Sequence, residues 1–244
     1  MARDHVRAFL LDEVEAHPRD LVQLAVARFG ISRQAVHGHL NRLLRDGLLH
    51  ADGRTQARRY RIALVGEHHD TLDRAAMRRA DDAWRSNFAP ALDGIPANVV
   101  EIARFGFAEV VRNVLEHSGA PALSARLRRT AAAIEVRVAD RGSGIFRNLE
   151  RESRIDDALA AALAIVKGPI TAADGTPARR GLAAVARAFD SVLFAAGNQL
   201  LHRAERDGRE AWRLQSIGAR VAGTTVGMRI SVHSPRTLVG IWPG

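Results

Sequence analysis

AAAIEVRVADRGSGIF, residues 131–146, is the stretch on which the fold turns. Ile134, Val136 and Val138 alternate with Glu135 and Arg137, the period-two pattern of a half-buried strand. The strand ends on Asp140, and Gly142 and Gly144 follow. A carboxylate at a strand end can accept a hydrogen bond from an exocyclic amine. Two glycines let the chain turn sharply and let a planar base approach the backbone. Taken alone, the pattern also fits an ordinary glycine turn between a strand and a helix.

Upstream lies FAEVVRNVLEHSG, residues 107–119, in which Glu109, Asn113 and His117 are spaced four apart. That spacing puts them on one face of a helix, with Val110, Val111, Val114 and Leu115 on the others. Glu109 can orient or deprotonate a water or hydroxyl. The Asn113 amide oxygen can ligate Mg²⁺, a hard cation that shares its shell with phosphates. A solvated polar face is the alternative for this segment by itself. Downstream, DGTPARRGLAAVARAFD (174–190) runs from a basic loop into an alanine-rich helix. Amides at such a helix start, with Arg179 and Arg180 beside Gly181, suit polyphosphate. Last comes SIGARVAGTTVGMRIS (216–231), with Gly223, Thr224 and Thr225 ahead of a final strand.

The order of these four segments resembles the Bergerat-type ATP-binding fold of the GHKL family: DNA gyrase, the ninety-kilodalton heat-shock chaperone, sensor histidine kinases and the MutL proteins. The resemblance covers roughly residues 95–232 and lies nearest the histidine-kinase-like and anti-sigma-factor branch, whose first helix often closes on His-Ser, as His117-Ser118 does here. It implies an α/β two-layer sandwich with helices on one face of a mixed sheet, binding ATP with Mg²⁺. Glu109 would be the catalytic acid-base residue and Asn113 the magnesium ligand. Asp140 would hold the adenine amino group. Gly142 and Gly144 would form the first glycine box, Arg180 and Gly181 the second, and Gly223 with Thr224 the last. One departure matters: the second box usually reads Gly-x-Gly-Leu, and here it reads Arg179-Arg180-Gly181-Leu182. The connection from Ile145 to Arg180, mostly helix-like, is also short for an ATP lid. Both favour nucleotide binding over efficient turnover.

Residues 1–66 form a separate unit. Val6, Phe9, Leu10 and Val14 share one helical face, and His17-Pro18 ends that helix. Asp20 is placed to cap a second helix through Phe29, and Ser32 a third through Leu44. LLHADGRTQARRYRIAL (48–64) then reads as two strands around Asp52-Gly53. This order resembles a winged helix-turn-helix, which implies that the third helix enters the major groove of double-stranded DNA. Arg33, Gln34, His37 and Asn41 would then face base edges, and Arg54, Arg58 and Arg59 on the wing would meet phosphates. The alternative is a winged helix that grips protein.

Composition bounds the rest. The chain has 244 residues, 36 Lys+Arg against 27 Asp+Glu, and a formal charge of +9, a balance that favours a polyanionic partner. Lys167 is the only lysine, so arginine usage reflects a base-composition bias as well as binding. With no cysteine there are no disulfides and no thiolate chemistry. The first twenty residues do not read as a signal peptide, and no apolar run reaches the roughly 20 residues of a membrane span, so a cytoplasmic protein without membrane attachment is expected. Residues 67–94 read as a helical linker and a surface for a homodimer, with 95–233 as the ATP-binding domain and 234–244 as a tail. Glu67-His68-His69-Asp70 resembles a phosphoacceptor motif, but the linker has room for one helix and little else, which favours exposed linker histidines. The expectation is a bacterial transcription regulator in which nucleotide state controls the winged helix. The rivals are a protein serine or histidine kinase or ATPase acting on a partner in trans, and a DNA-binding repressor with a vestigial pocket.

Overall fold

The structure is a computed structural model that describes residues 2–53, 58–153, 162, 165, 170–171, 177–178, 180–206 and 209–239. The chain divides into two units, one of residues 1–67 with 128–134 and 231–233, the other of 68–127, 135–230 and 234–244.

The first unit begins with three helices, α1 (Ala2–Glu13), α2 (Leu21–Phe29) and α3 (Arg33–Arg45). Their apolar stripes meet in one core that includes Leu10, Val14, Leu21, Ala25, Val36, Leu40 and Leu43. Phe9 and Phe29 pack edge to face with ring centroids 5.1 Å apart. Ser32 caps α3 as its position implies, its Oγ accepting the Ala35 amide at 3.2 Å. Asp20 occupies the N-cap position of α2 but does not cap it; its carboxylate pairs with His17 Nδ1 at 3.0 Å instead. That imidazole holds the Asp20 carboxyl below its ordinary value. Strands β1 (Leu49–Asp52) and β2 (Arg59–Ile62) pair antiparallel, Leu49 opposite Ile62 and Asp52 opposite Arg59, so Asp52 belongs to the strand and the connection spans 53–58 instead of the expected turn at Asp52-Gly53. Ala132 and Ala133 complete the core of this unit.

The second unit is built on a five-stranded sheet. The strands are β3 (Leu64–Asp73), β4 (Ala122–Thr130), β5 (Ala133–Asp140), β8 (Ser191–Arg206) and β9 (Arg209–Ser231), in the order β3-β4-β5-β9-β8. A mixed sheet is expected from the resemblance; this one is antiparallel, and two of its four neighbouring pairs, β4–β5 and β8–β9, are consecutive in the chain. The two-residue strands β6 (Ile170–Thr171) and β7 (Pro177–Ala178) form a separate ribbon.

The expected helical linker, 67–94, is corrected in its first seven residues only. Residues up to Asp73 are strand, and pairing along β4 satisfies backbone groups that a helix would bond internally. Asp73 then caps α4 (Arg74–Met77), accepting the Ala76 amide at 2.8 Å. Helix α5 (Ala80–Ala83) runs into a π turn at Trp84–Phe88 and a 3₁₀ turn at Ala89–Leu92. Trp84, Phe88 and Phe107 pack together with centroids 5.3 to 5.9 Å apart.

Helix α6 (Ala97–Asn113) continues through a π turn at Val114–Ser118 and stops at left-handed Gly119. It buries Val99, Ile102, Ala103, Phe107, Val110 and Val111. At Gly106 it comes so close to the Phe189 ring and the Met228 sulfur of β9 that a Cβ would overlap both. Helices α7 (Ile145–Ser153) and α8 (Arg180–Ala188) follow β5 and β7. The chain is thus a mixed α/β protein with helices packed beside an antiparallel sheet. The expected tail is tied down: Asn98 Nδ2 donates to the carbonyls of Ser234 and Arg236, both at 2.9 Å, and Arg236 pairs with Asp190.

Candidate functional site

Asp140 ends β5, as the alternation of Ile134, Val136 and Val138 requires, and its side chain is buried (4% exposed). Oδ1 accepts the Gly142 amide at 2.7 Å, and Thr224 bonds the same carboxylate through its backbone and its hydroxyl. Burial nevertheless raises the Asp140 carboxyl above its ordinary value, because these bonds only partly offset lost hydration. A carboxylate has about four acceptor positions, so these donors leave room for one more. Thr224 Oγ1 also accepts the Ile145 amide at 2.9 Å, which starts α7.

The last glycine lies against the first box. Gly223 has φ +66°, and a Cβ there would overlap the Asp140 carbonyl oxygen and the Arg141 Cα. Gly144, at φ +89°, faces the Gly223 carbonyl. Gly142 lies against the Ser118 carbonyl at the end of the π turn. Ser143 donates from its amide to that carbonyl at 2.9 Å, and its hydroxyl bonds Asn148 Oδ1 at 2.6 Å. Asn148 Nδ2 reaches the His117 carbonyl at 2.9 Å. Buried Asn148 was not legible as part of this loop. Its only signal is its place three residues after Ile145 on the buried face of α7.

Glu109 stands further back on α6, its side chain 12% exposed and paired with Arg112. Burial raises its carboxyl above the ordinary value, against the opposing pull of Arg112. Gly181 lies directly on this carboxylate: a Cβ there would overlap Glu109 Oε2. The second glycine box and the expected acid-base residue therefore meet, with Arg112 an unexpected third member. Asn113 is half-buried one turn along the same helix. The Arg180 side chain lies outside the described residues.

The expected site residues fall into two groups. Asp140, Gly142, Gly144, Gly223 and Thr224 form one; Glu109 and Gly181 form the other. Helix α6 links them, since Glu109 and Ser118 are nine residues apart, about 13 Å along a helix. Two cavities flank the groups. One of about 560 Å³ is lined by Glu109, Arg112, Glu116, Met77 and Arg79. The other, of about 420 Å³, is lined by Gly142, Gly144 and Gly223 but by neither Asp140 nor Asn113. No group of three or more His, Asp or Glu among the described residues could hold a metal by itself. Asn113 would therefore need phosphate oxygens to complete a Mg²⁺ shell.

On α3, Arg33, Gln34, His37 and Asn41 are all exposed, opposite buried Val36, Leu40 and Leu43. On the ribbon, Arg59 is exposed, whereas Arg58 is half-buried with its guanidinium over the Tyr60 ring at 5.3 Å. Arg54 lies outside the described residues. No helix among the described residues is long and apolar enough to cross a membrane.

The chain matches no protein-family model and no curated protein at a significant level.

Proposed function

We propose that this chain is an ATP-binding, DNA-binding transcription regulator of the bacterial cytoplasm, in which nucleotide bound in the second unit controls DNA binding by a winged helix in the first. One observation carries the nucleotide half. A buried carboxylate with spare acceptor capacity ends a strand, held by the Gly142 amide and by Thr224, with Gly223 against the Asp140 backbone carbonyl. Asp140 would take the adenine amino group. Glu109, Asn113 and Gly181 would lie toward the phosphates with Mg²⁺, at a separation a nucleoside triphosphate bridges end to end. The DNA half is supported by the exposed Arg33, Gln34, His37 and Asn41 on one face of a capped helix, and by the basic ribbon beside it in sequence. A homodimer would let two such helices read repeated half-sites.

The decisive experiment is thermal unfolding with ATP and Mg²⁺. A site at 100 times its dissociation constant adds about 2.7 kcal/mol. Wild type should gain stability of that order and Asp140→Ala should gain none; no gain in wild type overturns the nucleotide reading. In parallel, duplex binding should weaken with salt and with Arg33→Ala.

A second reading, a protein kinase or ATPase whose winged helix holds protein, is favoured by one feature. Glu109 has a raised pKa and borders a cavity wide enough for a substrate side chain. It predicts transfer of labelled phosphate to a partner, lost in Glu109→Ala while nucleotide binding persists.

A further inference from the structure

Strands β8 and β9 do not pair evenly. Ala196 faces Thr224, Gly197 faces Val221 and Gln199 faces Ser216. Residues 217–220 and 222–223 of β9 thus have no partner on β8, against Asn198 alone on the other side. Surplus residues on one strand force it to bend away from its neighbour, and such bulges commonly re-aim side chains beside binding sites. The cavity of about 420 Å³ lies at this irregularity.

Three arginines line it, from three separate segments: Arg141 after β5, Arg147 on α7 and Arg220 on β9. Among the described residues none of the three makes a hydrogen bond or an ion pair. Elsewhere exposed arginines do find carboxylates, as Arg7 does with Asp46, Arg85 with Asp82 and Arg104 with Asp81. In the cavity Glu150 is the one acid on the lining. Three guanidiniums against one carboxylate leave the lining with a net positive charge, and an anion between them relieves their repulsion. Their planar forks match phosphate oxygens in pairs. Asn198 and Gln199 add neutral amide donors and acceptors to the same wall. The volume lies within the roughly 300–1,000 Å³ of small-molecule sites.

We propose that this cavity binds the diphosphate group of a small phosphorylated molecule. The cavity shares Gly142, Gly144 and Gly223 with the residues of the ATP reading, but Asp140, Asn113 and Glu109 do not line it, and the assignment rests on the three arginines.

The test is calorimetric titration of the full chain with inorganic pyrophosphate in the absence of Mg²⁺. Arg141→Gln, Arg147→Gln and Arg220→Gln should each weaken binding tenfold or more, and Glu150→Gln should tighten it. The three arginines are exposed, so these variants keep the fold. Arg213→Gln, an exposed arginine elsewhere on β9, should leave the affinity unchanged. An equal loss with Arg213→Gln means net charge alone and overturns the proposal. So does an unchanged affinity in all three arginine variants, which would put pyrophosphate elsewhere, or full displacement by duplex DNA at matched phosphate concentration, which would make the patch a nucleic-acid surface. Parallel titrations with a nucleoside diphosphate and a sugar diphosphate then rank what the diphosphate carries.

Discussion

Two residues, Glu109 on α6 and Gly223 on β9, carry opposite kinds of constraint. Glu109 is held at an energetic cost: its carboxyl is raised from the ordinary 4.5 by burial despite Arg112. A folded carboxyl with a raised pKa favours folding fully below pH 4.5, and that contribution is lost as pH rises through the folded value. Glu109→Gln removes the titration. The melting temperature of the variant should therefore match wild type near pH 4 and exceed it progressively toward neutral pH. A difference that stays constant over that range would show that burial does not govern this carboxyl. Gly223 is held by geometry. Its left-handed φ of +66° strains any side chain, and a Cβ would also overlap the Asp140 carbonyl. Gly223→Ala should cost about 1–3 kcal/mol from backbone conformation alone, and more from the overlap, read as a shifted midpoint in urea unfolding. An unshifted midpoint would mean that β9 does not approach Asp140 so closely.

Helix α3 shows how an element can be specified almost locally. Its cap, its apolar stripe and its polar face all lie within fourteen residues, Ser32 to Arg45. Ser32→Ala removes the bond to the Ala35 amide and should destabilise the first unit by about 1 kcal/mol. The same variant should leave the ATP-induced gain in stability intact, because Ser32 lies outside the nucleotide residues. Strand β3 is the opposite case. Leu64–Asp73 is polar along most of its length and carries no clean alternation, with Leu72 its one buried apolar side chain. Its strand state comes from β4, some fifty residues later in the chain. The irregular β8–β9 ladder is a third case, in which two strands of unequal length between shared pairs create a cavity neither encodes alone.

For the whole molecule, the proposed regulation is a coupling free energy between two ligands and must act in both directions. If ATP changes affinity for a specific duplex by a given factor, the duplex must change affinity for ATP by the same factor. Titrating each ligand in the presence and absence of the other measures both. Equal factors different from one support regulation by nucleotide. Factors of one for both mean two independent sites on one chain, and would leave the nucleotide and DNA assignments standing without the switch.

The amino-acid sequence alone determined the helices of the first unit, the two strands that follow them, the strand that ends on Asp140 and the helix that carries Glu109 and Asn113. Each is written in neighbours one to four positions apart, where periodicity, caps and turn residues act. Only the tertiary structure decided that residues 67–73 are strand, that Asp20 binds His17 rather than its own helix, that Gly181 lies on Glu109, and that Arg141, Arg147 and Arg220 share a cavity. Those outcomes depend on partners distant in the chain, or on one side chain choosing between two nearby donors. Local spacing carries no record of such choices, because they are made by burial and backbone pairing when the segments meet.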